Sequence, residues 1–500
     1  MSNTDPILKL FKTNAWLVPA LFVVMACFPL FMHLDVLPIR IWDESRQAWN
    51  AFEMWQNGNY LVTYFQGAPD MWSTKPPLLI WCQALLFGLI GPGELALRLP
   101  SAVAALLTGW FLLRTVARNL GASWMGLIAC AVLYTNQGYI NMHVARSGDY
   151  DAMLVLFMSL SAWALYRWTV DGRPRQVLFF FILLTLGVLT KSVQALLFLP
   201  GLFLFLLFEK KVITLFRLRQ TYFGLLLFVL VVGGFYALRE SANPGYLEAV
   251  WMNELGGRYG DALEGHHGPW NYYVSMLIEH HFVPWWWLVP CGIVLGFAHR
   301  NPEMRRWTLL LVCVGSAYLF IMSSAGTKLE WYEAPLFPIL SALAAIAIYV
   351  PFVWLQSENL FTPQLRGRVL PYLLLFLGFV GPYSSTVGRM YFPKEWAWDE
   401  ERYAGTKFLQ SMVRGTEHTQ VDAVCYDDYN AQNAFYVKLL QDRGERIDCI
   451  AKPDLTTGQR AMAWEPFVKG YIESHYTVDL VKEDGPVRIY LIIGEHNGAP

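Results

Sequence analysis

The sequence carries little charge: 15% of its 500 residues are Asp, Glu, Lys or Arg, and the formal net charge is -1. A chain so close to neutral has no basic stripe for a nucleic-acid backbone, which removes nucleic acid as a partner. Cysteine is scarce, at seven residues, and no spacing among them matches a metal-binding pattern. Cys27, Cys82, Cys130, Cys291 and Cys313 lie in or beside apolar runs and read as packing residues. Cys425 and Cys449 lie in two candidate strands of a polar tail, where a disulfide and two free buried thiols are both open. The N-terminal apolar run has no small-residue cleavage site and is too long for a removable signal, so it reads as a span.

What the chain has in abundance is apolar surface. Hydrophobic residues make up 55% and aromatics 16%, with a mean hydropathy of +0.33. That describes an α-helical polytopic membrane protein with a soluble appendage. Runs of about the roughly 20 residues a bilayer requires fall at 15–34, 99–117, 122–141, 152–169, 177–190, 193–208, 221–238, 284–298, 307–323, 334–354 and 369–386. "TKS" at 190–192 predicts a tight hairpin between two of these eleven spans.

Orientation follows from Lys and Arg in short loops. With eleven spans, the clusters Lys9/Lys12, Arg114/Arg118, Arg167/Arg173/Arg175, Lys210/Lys211/Arg217/Arg219, Arg300/Arg305/Arg306 and Arg366/Arg368 all share one side, expected to be cytoplasmic with the N-terminus. Counting 77–91 as a twelfth span would scramble them, so it is expected to be an interfacial helix started by prolines. The opposite face then receives 35–75, 145–151, Lys191, 240–287, 323–333 and everything after 391. A catalytic membrane domain over 1–390, with a first outer loop at 35–98, is expected to precede an outer α/β domain at 391–500. In that tail "TQVDAVCYDD", "ERIDCIA" and "PVRIYLIIGEH" predict strands, while 431–442 and 464–473 predict helices.

The chemistry-bearing residues gather in the outer loops. "IWDESRQAWNAFEMWQNGNY" (41–60) sets Trp42, Ala48, Trp49, Phe52 and Trp55 at helical spacing on an interfacial helix, with Asp43, Glu44 and Arg46 in its first turn. Asp43 or Glu44 can cap that helix, or serve as a base. Lys75 precedes Pro76 and Pro77, where a cation opposes the helix dipole and calls for an anion, although a snorkelling lysine explains it equally well. "ARSGDYDAM" supplies Arg146, Asp149 and Asp151, either acid being a candidate cap for the next span. "EGHHGPWNYYVSMLIEHHFVPWWW" holds His266, His267, His280 and His281 among aromatics; adjacent histidines diverge and make poor metal pairs, leaving His266 or His267 as weak single ligands. "SAGTKLEWYEAPLFP" adds Lys328, Glu330, Tyr332 and Glu333. Together these give one face with acids to activate a nucleophile and Lys75, Arg46, Arg258 and Lys328 to hold a phosphate.

"DESR", "STKPPLLIW", "ARSGDYD", "GVLTKSVQALLFLP", "HHGPWNYY" and "GTKLEWYEAPLFP" follow one another as they do in one family. Over residues 35–345 the chain resembles the 4-amino-4-deoxy-arabinose lipid A transferase-like glycosyltransferases, relatives of the protein O-mannosyltransferases with the GT-C membrane fold. The resemblance implies inverting transfer from a polyprenyl-phosphate sugar to an envelope acceptor (a glycolipid such as lipid A, a glycan, or a protein) at the outer leaflet. It implies Asp43 as general base, with Glu44 an alternative. Arg46 and Lys75 would hold the lipid phosphate, joined by Arg258 and Tyr332, and Asp149 or Asp151 would support the site. Arg146 and Lys328 would add positive charge. The family often has Glu before the lysine of "KPP", which here is Thr74, so a divalent metal is not required. Trp331 stands where the family has a smaller residue or His. The absence of an Asn-x-Ser/Thr sequence favours a bacterial inner membrane, and a monomer is expected. A flippase for lipid-linked sugars, or an accessory subunit acting through its tail, are the competing readings.

Overall fold

The structure, a computed structural model, describes residues 16–141, 143–256, 265–357, 366–397, 399–450 and 454–496. Among the described residues, seven helices are long and apolar enough to cross a membrane: Glu94–Leu120, Asp151–Asp171, Arg175–Leu196, Arg219–Ala242, Pro302–Ser324, Glu330–Gln356 and Val369–Tyr391. Five shorter apolar helices accompany them among the described residues: Leu17–Phe31, Ser123–Tyr134, Leu199–Phe208 and Leu288–Ala298 fall within the remaining expected spans, and Leu78–Ile90 falls outside them. Helix Asp151–Asp171 is central, whereas Arg219–Ala242 and Val369–Tyr391 leave most of their apolar surface bare. Phe223, Leu230, Phe376 and Leu377 on those two are exposed, which suits lipid as their solvent. The protein is a multi-pass membrane protein.

Helix boundaries follow local chemistry. Asn301 accepts from the amide of Glu303 at 2.9 Å, Pro302 follows it, and Glu303 lies in the first turn of the helix they start. Gly58, Gly121 and Gly172 end their helices in the left-handed conformation. At "TKS" the α-helix runs through Lys191, Ser192 adopts a φ of 50°, and a 3-10 segment, Ser192–Leu196, carries the chain onward. The expected hairpin is therefore a longer turn. Leu78–Ile90, with 13 residues, spans roughly 20 Å, longer than three of the four short helices in the expected spans, so length does not set it apart from them.

The helix Asp43–Asn57 departs from the expected interfacial pattern. Ala48, Trp49 and Phe52 are buried, but so are Glu44, Ser45, Gln47 and Asn50, while Trp42 and Trp55 are exposed. The reason is that the helix is packed on both sides. One side faces the membrane bundle. The other meets helix Ala431–Asp442 of the tail, where the Trp49 indole donates to the Ala431 carbonyl at 3.0 Å and packs edge-on against Phe435. Beyond it, β1 (Tyr64–Phe65) and β2 (Ala68–Pro69) form a small hairpin through Gln66 and Gly67, both at positive φ. Glu53 accepts from the Gly67 amide at 2.9 Å, tying that hairpin to the helix.

The tail holds a five-stranded sheet in the order β4-β3-β5-β7-β6, comprising β3 (Ala423–Cys425), β4 (Asp448–Ile450), β5 (Arg460–Ala463), β6 (Tyr476–Asp484) and β7 (Val487–Glu495). The pairs β3/β4 and β3/β5 are parallel, whereas β5/β7 and β6/β7 are antiparallel. One face packs on helix Pro466–His475; Val424, Met462, Trp464 and Ile489 on the other join the core that continues into the bundle. Cys449 pairs with Val424, not Cys425, so the two thiols point to opposite faces, and both are free. Strands β5 and β6 and the helix Ala404–Val413 were not anticipated, and the helix expected at 464–473 begins only at Pro466.

Candidate functional site

Asp43 opens its helix behind Trp42, whose φ of +67° turns the chain sharply at that point. Its carboxylate makes no hydrogen bond or ion pair among the described residues. It faces His143 and Asp149: one ligand-type atom from each of the three lies within 4.8 Å of the others. Asp149 is buried and accepts from Gln47 Nε2 at 3.2 Å, from the Ser147 hydroxyl, and pairs with His143 Nδ1 at 2.9 Å. Burial opposes charge on His143, but Asp149, Asp43 and Asp151 around it outweigh burial and lift its pKa to about 9. The ring stacks on Trp331, centroids 3.9 Å apart and planes 21° apart, which brings the "KLEWYE" segment to the same place.

The donor set of Asp43, His143 and Asp149 is one a divalent cation accepts, and it is the one such group among the described residues. The imidazolium supplies the countercharge such a cation would bring. His266 and His267 are exposed and stand outside this group; His267 Nδ1 bonds the Gly265 carbonyl at 2.8 Å.

Glu44 does not face the site. It is fully buried, its two oxygens receiving Arg98 at 2.7 and 2.8 Å, the Arg40 amide at 2.8 Å and the Gly148 amide at 2.8 Å. Burial pushes against the charge, yet Arg98 and these donors hold its pKa at about 2. Arg98 also donates to the carbonyls of Leu34, Leu37 and Pro38. With every oxygen committed, Glu44 is neither base nor cap. It is the tie between the first loop and helix Glu94–Leu120.

The expected cations divide into two groups. Arg46 sits bidentate on Asp70, both contacts at 2.9 Å, over the Phe65 ring; its Nη1 makes no hydrogen bond among the described residues. Burial alone would raise Asp70, but Arg46, Asn50 and the Ser73 amide pull its pKa below the usual value. Lys75 pairs with Glu254 at 3.1 Å, and Thr74 Oγ1 donates to the same carboxylate at 3.3 Å. Carboxylates thus hold these two, whereas backbone carbonyls hold Arg146 and Lys328. Arg146 donates to the carbonyls of Pro29, Met32 and His33 and so closes the first span. Lys328 is buried with its ammonium on the carbonyls of Ser323 and Ala325, and burial lowers its pKa. Asp151 holds Lys191 at 2.6 Å, and that ammonium lies 5.6 Å from the Tyr332 ring centroid. Asp151 thus bears on the site through Lys191 and through its charge beside His143. Arg258 lies outside the described residues.

A second acid-base pair stands nearby: His281 Nδ1 is 2.5 Å from the buried Glu333, with Glu330 at 3.9 Å from Nε2. Burial works against protonation of His281, but Glu333 and Glu330 raise its pKa. His143, Asp70, Glu254 and Lys191, which pair with the candidates Asp149, Arg46, Lys75 and Asp151, are residues that sequence reasoning did not single out. A histidine six residues before Asp149, in "NMHVARSGD", was the available signal for the first; nothing local distinguishes Asp70 or Glu254.

The sequence model of the dolichyl-phosphate-mannose-protein mannosyltransferase family matches residues 74–235. An uncharacterized protein of Aquifex aeolicus is 23% identical over 63% of this chain and 60% of its own length. The undecaprenyl phosphate-alpha-4-amino-4-deoxy-L-arabinose arabinosyl transferase 1 of Proteus mirabilis is 23% identical over 66% of this chain and 58% of its own length. The chain thus spans about three fifths of these curated relatives. ArnT from Cupriavidus metallidurans bound to undecaprenyl phosphate superposes with a TM-score of 0.68 at 17% identity, covering 95% of this chain and 98% of that one. The chain thus shares the fold of that membrane protein over nearly its whole length, and residues 74–235 carry the sequence pattern of the mannosyltransferase family.

Proposed function

We propose that the protein transfers a sugar, with inversion, from a polyprenyl-phosphate donor to a hydroxyl of an envelope acceptor at the outer leaflet. The observation that carries this reading is the contrast between adjacent carboxylates: Glu44 is locked on Arg98, whereas Asp43 is uncommitted beside His143 and Asp149. Asp43 takes the acceptor proton as the acceptor oxygen bonds to the anomeric carbon from the face opposite the phosphate. The glycosidic C–O bond breaks and its electron pair leaves on the lipid phosphate. Screening by cations is enough for that departure, so no acid is required.

Lys75 and Arg46 are the cations in position. In this reading the Lys75 ammonium and the Nη1 edge of Arg46 each receive a phosphate oxygen. Likeness to an enzyme whose structure holds undecaprenyl phosphate supports a lipid-phosphate donor. The lysines and arginines of the short loops support an outward-facing site in a bacterial inner membrane.

Asp43→Asn in reconstituted membranes tests the reading. The expected result is loss of transfer by at least about a hundredfold with undecaprenyl-phosphate binding retained. Full transfer by that variant overturns it. Lipid moved across the bilayer with no free polyprenyl phosphate released establishes a flippase instead.

A further inference from the structure

Arg239, in the last turn of helix Arg219–Ala242, is 1% exposed. A buried guanidinium is normally matched by a carboxylate, because an uncompensated charge away from water is costly. Arg239 has none. Its Nη1 donates to Asn243 Oδ1 at 2.7 Å, its carbon end lies 4.5 Å from the Tyr246 ring centroid, and Nη2 is buried with no hydrogen-bond partner among the described residues. The acids among the described residues that act on it most strongly, Asp70 and Glu240, are both spent. Asp70 is held by Arg46, Asn50 and the amides of Trp72 and Ser73. Glu240 accepts from the amides of Gly245 and Leu247.

The surroundings tie this cation to the donor side of the site. Tyr246, itself buried, donates its hydroxyl to the Thr74 carbonyl at 2.7 Å, the residue before Lys75. Tyr236 stacks on Tyr246 and bonds Ser192 at 3.0 Å, next to Lys191. Arg239 and Lys75 therefore flank one tyrosine-lined wall, with a spare guanidinium nitrogen on one side of it. A cation near the end of a helix also satisfies the helix dipole, but that leaves the bare Nη2 unexplained.

We propose that Arg239 is a phosphate-binding residue, whose free Nη2 receives an anionic oxygen of the donor lipid's phosphate alongside Lys75. The inference rests on the transfer reaction proposed above. An arginine suits the task because its charge is permanent and its fork matches phosphate geometry.

The test is binding of undecaprenyl phosphate to the full-length protein in detergent, with undecaprenol as the neutral control, for wild type, Arg239→Met and Arg239→Lys. Arg239→Met is expected to weaken undecaprenyl-phosphate binding about tenfold or more and leave undecaprenol binding unchanged. Its lipid-free thermal midpoint should hold or rise, since an unpaired buried charge has gone. Arg239→Lys should fall between the two. Wild-type phosphate affinity in Arg239→Met overturns the proposal. So does a lowered midpoint with equal loss for both lipids, which marks a structural arginine. Unchanged donor affinity with a raised acceptor KM assigns the anion to the acceptor and also overturns it. If wild-type protein itself fails to bind undecaprenyl phosphate, the proposed transfer reaction fails first, and this inference with it.

Discussion

Trp42 lies flat on Tyr429 of the tail, ring centroids 4.5 Å apart and planes 5° from parallel. The residue next to the candidate base is thus fixed from outside the membrane bundle. Trp49 against Phe435 and the Tyr436 hydroxyl on the Ile39 amide at 3.0 Å hold the same loop from the same side. The tail is part of what positions Asp43.

Tyr429→Ala removes that stack. An aromatic pair contributes about 0.5–1.5 kcal/mol beyond its area, too little to unfold the protein. Freedom at Trp42 should nevertheless let Asp43 drift, and misplacement of about 1 Å costs roughly a hundredfold in rate. The expected outcome is kcat reduced about 10- to 100-fold with donor KM near wild type and the thermal midpoint lowered by a few degrees. Unchanged kcat would mean that the tail does not set the base.

Neighbouring carboxylates should fail in different ways. Glu44→Gln leaves Arg98 buried without its anion, a loss of about 3–5 kcal/mol, read as a large drop in thermal midpoint. Adding Arg98→Met should return much of it. Asp43→Asn should leave the midpoint alone and remove transfer. The low pKa of Glu44 gives the pH direction: a depressed carboxyl stabilises above its unfolded value, near 4.5, and that contribution is lost as pH falls toward about 2.

His143 gives the opposite limb. Its folded pKa of about 9 exceeds the free value of 6.5, so its charge stabilises fully below 6.5 and is lost as pH rises through about 9. Transfer should decline on the alkaline side near pH 9, because neutral imidazole leaves Asp43 beside Asp149 with no countercharge. His143→Gln should lower kcat and abolish that limb in a pH profile of kcat/KM. Restoration of the variant by added divalent cation would identify metal as the natural countercharge.

The seven long apolar helices and the tail's strands β3, β4 and β7 were legible because apolar runs and alternation are local signals. Partner choice was not. Glu44 and Asp43 are adjacent and chemically alike; only the position of Arg98, 54 residues on, separates a tether from a base. Arg146 and Lys328 read as phosphate ligands by charge, but in the fold their nearest acceptors are helix-end carbonyls. The helix Asp43–Asn57 read as interfacial because its second partner, Ala431–Asp442, lies nearly 400 residues away. Thr74 read as a lost acid, while Glu254 brings a carboxylate to the same lysine from another segment.

Arg46 and Asp70 allow the role of the arginine to be isolated. Asp70 occupies the Nε and Nη2 edge, so it aims the remaining Nη1 edge at whatever that edge binds. In Asp70→Asn the amide oxygen can still accept from Trp72 and Ser73, keeping the loop, while the bidentate clamp is gone. A loosened Arg46 should then raise donor KM several-fold with kcat less affected, since an interaction made equally in bound substrate and transition state appears in KM. Arg46→Ala differs in stability: it strands a buried carboxylate at Asp70 and should cost about 3 kcal/mol on top of the same KM effect. The pair of variants thus separates orientation from structure. If Asp70→Asn leaves donor KM untouched while Arg46→Ala lowers only the thermal midpoint, Arg46 is a strut for the hairpin and the lipid phosphate is held without it.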